Sequence, residues 1–393
     1  MKRTAEWDRA IAVQRFLGGE AVSSIARSLG YSRKWIYKWV QRHQAQSGDE
    51  AWYQDRPSDP RSCPRRLPGE MVEIIKLARL HLYNQDLFCG AQAIQWELRK
   101  WEVQPPLPSL RTINRILSRE GLTHRRTGRY ESKGRKYPSL VGEAANAVHQ
   151  MDFVGPCYLT GPLRFYSLNS VDLATGRCAI NPVLCKAAQE TLDAVWAGWC
   201  RLGIPQHQQV DNEMVFYGSR QHPRGMGPLI RLCLLYDVQP WFIPMAEPWR
   251  NGVVEKFNDH YEKGLLRRIP MQSVEDLRRE SLLFEQKHNA QYRYSKLQGQ
   301  TPQAALEQSG QTLRFPDQPQ APRHPLPKPV KGRYHRVRFI RSDRWLDVFG
   351  ERFLLPAEAL YEYVIASVDV GLQKLRVHIE ETTLTEFDYC MRQ

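Results

Sequence analysis

The stretch VHQMDFVGP at residues 148–156 decides how this chain is read, because an acid, Asp152, stands inside an apolar run that looks like a strand. A carboxylate in such a place is costly unless it is paired or meets a cation. From about Ala144 onward strands and helices alternate. Strands are expected at 148–154, 164–171 and 177–183, then a helix over 187–202 and a strand at 208–211. A helix near 228–236, a short strand at 239–243 and a helix from 251 to 268 follow, and a further helix over 274–292 closes the segment. Three strands in series, then helix–strand–helix–strand–helix, make an α/β domain with a mixed sheet.

Two more acids stand in comparable settings. Asp211 ends a strand in QQVDNEMVF (208–216), and Glu255 lies one turn into the helix that opens with Asn251 and Gly252. On that helix Val254, Phe257, Tyr261 and Leu265 form the packing stripe, leaving Glu255 off it with Asp259 and Glu262 nearby. Acids on two strands and one helix of an α/β sheet can converge on one point. Such a cluster repels itself unless divalent cations neutralise it, and oxygen-only ligands suit Mg²⁺ or Mn²⁺ better than zinc. Two ions about 3.5–4 Å apart can activate an attacking oxygen and stabilise a leaving one in an in-line phosphoryl displacement. Water as the attacker nicks a strand; a DNA 3′-hydroxyl joins strands. Taken singly, each acid reads equally well as a cap or a surface group, and only their order and contexts together are specific.

Charge points to a polyanionic partner. The 393 residues carry 56 Lys and Arg against 42 Asp and Glu, net +14, and the first 143 residues hold 26 against 15, so +11 of the excess lies there. Within 1–45 the segment SSIARSLGYSRKWIYKWVQRH resembles the helix-turn-helix family. Gly30 permits the turn and Ser32 is an N-cap for a recognition helix running to about His43. Ile36 and Trp39 face inward there, while Arg33, Lys34, Tyr37 and Lys38 point outward. Arginine and lysine at the start of such a helix read guanine edges in the major groove, so Arg33 and Lys34 are the candidate base contacts. A helical hairpin with a solvated basic face is the plainer alternative.

Residues 46–68 are a Pro-, Ser- and Arg-rich linker, and 69–123 are a second helical unit with Ser109 as a cap, read either as another helix-turn-helix or as a three-helix connector. Residues 124–143 form a basic tether whose Arg125, Arg126, Lys133, Arg135 and Lys136 suit a DNA backbone. The core spans 144–308, a Pro-rich linker 309–332, and the short alternating runs of 333–393 suggest a small β-barrel. Eight scattered cysteines without a C-x-x-C pair argue against structural zinc and for a reducing, cytoplasmic setting. No apolar run approaches the roughly 20 residues needed to span a bilayer.

VHQMDFVGP, VDLATGR (171–177), QVDNEMVF and AEPWRNGVVEKFN (246–258), in that order, resemble the retroviral-integrase-like core of DDE insertion-sequence transposases. The segment RYSKLQGQTPQAAL (293–306) resembles the end of that core. The resemblance covers about 144–306 and implies an RNase H-like fold. It also implies Asp152, Asp211 and Glu255 as catalytic metal ligands for two Mg²⁺ or Mn²⁺ ions, 3′-end processing and strand transfer, and a homo-oligomer on double-stranded DNA. Two departures stand out. The family's usual 35 residues between the second Asp and the Glu land on Glu247 when counted from Asp211, whereas only Glu255 has the Asn-Gly-Val-Val-Glu helix context, and Glu247 precedes Pro248. The excess fits an insertion in YGSRQHPRGMG (217–227), either a longer connection or a DNA-contacting finger. Asn212 and Glu213 stand where the family has Asn-Gly.

Asp172 reads as a strand-end residue closing a turn. His149, three residues from Asp152, faces the other side of the sheet, and Lys256 and His260 read as the solvated face of the Glu255 helix. A DNA-binding regulator with a silent core and an RNase H-like nuclease that cuts without joining are the rival functions. No G-x-G-x-x-G, Walker or G-x-S-x-G motif occurs, so any ATP dependence would come from an accessory ATPase. If Arg33 reads a base, Arg33→Ala relaxes sequence preference at that position at a cost of roughly 1–3 kcal/mol. Binding titrations on permuted sites measure this, and unchanged preference would move recognition elsewhere.

Overall fold

The computed structural model describes residues 4–45, 51–55, 67–123, 136–219, 221–222 and 224–392. The chain divides into two units, Met1–Pro68 and Gly69–Gln393.

In the first unit, α1 (Ala5–Leu17), α2 (Val22–Leu29) and α3 (Arg33–Ala45) pack around Ala12, Val13, Ile25, Ile36, Trp39 and Val40. Gly30 adopts φ +79°, a left-handed conformation that glycine takes without a Cβ penalty, and its N–H closes α2 onto Ala26 O (3.0 Å). Ser32 Oγ accepts from Trp35 N (3.2 Å) and starts α3 as a side-chain cap does. The face carrying Arg33, Lys34, Tyr37 and Lys38 is exposed, as the spacing predicts.

The second unit begins with α4 (Gly69–Asn84), α5 (Ala91–Lys100) and α6 (Leu110–Arg119), closed over Ile75, Ile94, Leu98, Ile113 and Ile116. Ser109 caps α6 by accepting from Thr112 N (3.2 Å). The α4–α5 turn then meets the core: Phe88 packs on His260, Tyr292 and Tyr294, and Asp86 takes Arg268 and the Tyr292 hydroxyl as partners.

The core follows with β1 (Val148–Tyr158), β2 (Arg164–Asp172), β3 (Cys178–Val183), α7 (Ala188–Leu202), β4 (His207–Val210), α8 (Met214–Tyr217), α9 (Pro228–Leu235), β5 (Gln239–Phe242), α10 (Gly252–Tyr261), α11 (Val274–Gln291) and α12 (Pro302–Ser309). β1, β2 and β3 form an antiparallel meander, while β4 lies parallel to β1 and β5 parallel to β4. The order β3-β2-β1-β4-β5 is the mixed sheet expected of an RNase H-like core. Period-two alternation sorts the strands' side chains. Met151, Phe153 and Leu168 join Trp196, Trp199 and Ile230 on one face; Val154, Phe165, Val171 and Ile180 meet Val254, Phe257, Tyr261 and Phe284 on the other. Gln150 and Asp152 thus share the face covered by α10.

The last segment corrects the sequence reading. β6 (Arg333–Phe339), β9 (Tyr363–Asp369), β10 (Lys374–Ile379) and β11 (Thr382–Asp388) continue the core sheet beyond β5, in the order β5-β6-β9-β10-β11. β7 (Trp345–Val348) and β8 (Glu351–Leu354) form a separate hairpin. The closed barrel suggested by the alternating runs is not what these hydrogen bonds describe. Alternation reports which side chains face in, not which strand pairs with which, and Trp241 and Phe242 of β5 pair with His335 and Arg336 of β6.

Leu168, fully buried at the middle of β2, tests the core. Leu168→Ala should cost roughly 2–5 kcal/mol, read as a lower urea midpoint at unchanged slope.

Candidate active site

Asp152 sits mid-β1, opposite Asn169 of β2. Asp211 follows the last residue of β4, and Glu255 lies in the first turn of α10. Their relation is set by buried polar side chains. Gln150 Oε1 accepts from Val253 N (3.0 Å) and Val254 N (3.2 Å), so β1 caps the helix that carries Glu255. Asn251 Nδ2 donates to Met151 O (3.0 Å), and Gln209 Nε2 donates to Arg250 O (2.9 Å) and Asn251 Oδ1 (3.3 Å). The start of α10 is therefore pinned to β1 and β4 at once.

One turn beyond Glu255, Asn258 Nδ2 donates to Asp152 Oδ2 (3.0 Å). Behind it Asn169 Nδ2 donates to Asn258 Oδ1 (2.9 Å), and Ser167 Oγ to Asn169 Oδ1 (2.7 Å). This relay fixes one oxygen of Asp152. Asp211 Oδ1 accepts from Glu213 N (3.0 Å), and Lys186 Nζ meets Glu213 Oε1 (2.5 Å) at the rim.

Asp211 and Glu255 both act on Asp152, and Glu255 acts on Asp211. Burial first, then the charge of Asp211, with Glu255 and Glu213 behind it, pushes the Asp152 carboxyl up to about 7. Burial also raises Asp211 to about 6, with Glu213 and Glu255 adding to it while the Glu213 N–H and Lys186 oppose. Burial raises Glu255 as well. Among the described residues no three His, Cys, Asp or Glu side chains stand close enough together to hold an ion as they are placed. The donor set, carboxylate oxygens with one oriented by an amide, fits a hard divalent cation.

Glu247 lies elsewhere. Its carboxylate accepts from Arg250 Nε (2.9 Å) and from the Tyr363 hydroxyl (2.9 Å), joining the loop before α10 to β9. Asp172 closes the β2–β3 turn by accepting from Thr175 N (3.1 Å) and Thr175 Oγ1 (2.5 Å). His149 is fully buried against Asn146 Oδ1 (2.9 Å). His260 does not sit on the solvated face: it is half-buried among Phe88, Phe284 and Tyr292. Asp259 and Glu262 pair with Lys263 and Arg267 on the surface. Lys136 pairs with Glu380 (2.5 Å), whereas Arg125, Arg126, Lys133 and Arg135 lie outside the described residues. Sequence reasoning missed Gln150, Gln209, Asn251 and Asn258; the available signal was their polarity inside otherwise apolar strand and helix faces.

Residues 3–53 match the homeodomain-like domain family. Over these residues the first unit is similar to homeodomain-like domains. Among curated proteins no relative matches by sequence. Among solved structures, the HTLV-2 integrase catalytic core domain in complex with magnesium (dimeric form) aligns at 18% identity over 41% of this chain and 97% of its own, with a TM-score of 0.31. The simian T-cell lymphotropic virus intasome in complex with PP2A regulatory subunit B56 gamma aligns at 14% identity over 80% of this chain and 96% of that one, TM-score 0.36.

The raised Asp152 carboxyl has a sign that can be measured. Its folded value, about 7, exceeds the ordinary 3.8, so the stability it contributes at acid pH is lost as pH rises from roughly 4 through 7. Asn at this position cannot ionise. In chelator-treated buffer Asp152→Asn should therefore gain melting temperature over the parent between pH 5 and pH 8, by at least about 2 °C. Taking the difference cancels the buried His149, His288 and His335, which are pulled down by burial to about 4, 3 and 3 and act with the opposite sign. A gap that does not change with pH would contradict the electrostatics of the site.

Proposed function

We propose that this chain is a transposase- or integrase-type DNA-joining enzyme, and the observation that carries the reading is the placement of Asp152 in mid-β1, Asp211 at the end of the neighbouring β4 and Glu255 in the first turn of α10, the helix whose Asn258 donates to Asp152. These three residues would hold divalent cations, Mg²⁺ or Mn²⁺, which supply charge neutralisation for the attacking and departing oxygens of a phosphoryl transfer. The chain's own contribution is placement. Asn258 fixes one Asp152 oxygen, Gln150 fixes the helix that carries Glu255, and the Asp211 turn holds its carboxylate on the same side. With a phosphodiester as substrate, water would cut and a 3′-hydroxyl would join, with no protein nucleophile needed.

The homeodomain-like unit supports duplex DNA as the partner. α3 presents Arg33, Lys34, Tyr37 and Lys38 on one exposed face, the arrangement by which a recognition helix meets a major groove. The basic residues that follow add contacts to phosphate. A recombinase of this kind brings two DNA ends together, which calls for more than one copy of the chain. Among the described residues no helix is long and apolar enough to cross a membrane.

Strand-transfer assays on DNA carrying the element's ends, with Mg²⁺ or Mn²⁺, test the assignment. Asp152→Asn, Asp211→Asn and Glu255→Gln should each lower joining by about 10³-fold or more, with end binding retained. Glu247→Gln, which keeps an acceptor for Arg250 and Tyr363, should still join. The reverse pattern for the two glutamates would overturn the choice of Glu255. Cutting without joining in the parent chain would favour a nuclease, and binding alone a regulator.

A further inference from the structure

β6 carries Arg336 and Arg338 two residues apart, so both side chains leave the same face of the sheet. Both are buried, at 2% and 7% exposure. They converge on one atom: Arg336 Nη2 and Arg338 Nη2 each donate to Asn212 Oδ1 at 2.9 Å. Asn212 Nδ2 donates in turn to Ile243 O (2.6 Å), and Arg338 Nη1 donates to the same carbonyl (3.1 Å). Asn212 follows β4 and Ile243 follows β5. A single amide thus brackets the carboxyl ends of three parallel strands.

Burying a guanidinium is expensive, and an amide oxygen is a weak partner for it. Arg336 has little else. Among the described residues its Nε and Nη1 meet no acceptor, and its Cζ lies 3.8 Å from the centre of the Phe349 ring. Neither arginine is open to a nucleic acid. What the pair holds is the residue immediately after Asp211, and the Asp211 carboxylate is tied from the other side by Glu213 N (3.0 Å). The turn 211–213 is therefore gripped at both ends.

We propose that Arg336 and Arg338 are positioning residues of the carboxylate centre: through the shared oxygen of Asn212 they hold the Asp211 turn in the orientation in which its carboxylate takes a divalent cation. The inference rests on reading Asp211 as a ligand. It makes the C-terminal strands part of the reaction centre through Arg336 and Arg338.

The test uses the full chain, stripped with chelator and titrated with Mn²⁺ by calorimetry, alongside DNA-end binding and joining. Asn212→Ala removes the bracket and leaves Arg336 with no hydrogen-bond acceptor among the described residues, so the variant's urea midpoint is measured alongside to separate loss of fold from loss of ligand orientation. It should weaken Mn²⁺ binding roughly 10-fold or more, the usual effect of losing a group that orients a metal ligand. It should also lower the rate of joining at saturating DNA while leaving KM for DNA ends unchanged. Asn212→Asp keeps an oxygen for both arginines, and Ile243 O keeps Arg338 as donor, so Mn²⁺ affinity should be largely recovered. Arg336→Met should match Asn212→Ala if it folds; if it does not, the two Asn212 variants decide alone. Parent-like Mn²⁺ affinity in Asn212→Ala, with Asp211→Asn having lost it, would overturn the inference and spare the acid-site reading. Parent-like affinity in Asp211→Asn would overturn both.

Discussion

The contact on which the rest of this molecule turns is a glutamine in a strand accepting the first amides of a helix. Helix starts leave N–H groups unsatisfied, and those of α10 would face the buried surface of the sheet. Gln150 meets two of them with one oxygen. Its neighbour two residues on is Asp152, so the strand that caps the helix also carries an acid beside it. The same helix returns the favour through Asn258, which orients Asp152. Strand and helix are mutually registered, and a shift of either would move Asp152 and Glu255 together.

That registration explains why so polar a centre can be held within a mostly apolar core. Buried amides are tolerable when satisfied in series. The chain from Ser167 through Asn169 and Asn258 to Asp152 is such a series, and so is the link from Gln209 through Asn251 to Met151 O. What stays unbalanced is negative charge, concentrated at Asp152, Asp211, Glu213 and Glu255. Lys186 offsets part of it at the rim, lying 4.5 Å from the Phe153 ring centre as it reaches Glu213.

Much of the fold was legible in periodicity. The runs around Met151, Leu168 and Ile180 read as strands and are strands, and the Val254, Phe257, Tyr261 stripe reads as one buried helix face and is one. The candidate acids could be picked out because each interrupts or flanks such a run. Their supports could not. Gln150 and Asn251 look like any polar residue at a strand or helix end, and only three-dimensional proximity joins them. His260 looked solvated from its helix position alone, but partners from α4–α5 and α11 bury it. The C-terminal strands show the same limit: alternation around Val337 and Val364 marks an inward face, while the pairing of β6 with β5 depends on a partner some ninety residues earlier.

That pairing has a bearing on how the chain can be divided. β5 has four residues, and its outer edge is covered by β6. A fragment ending at Ser309 would leave Trp241 and Phe242 on a bare, apolar sheet edge, the kind of surface that recruits strands from other molecules. That segment would then be prone to aggregate when expressed by itself, for a reason unrelated to chemistry. The boundary drawn by composition at the proline-rich stretch is therefore a poor place to cut, because the hydrogen-bonded sheet runs straight across it.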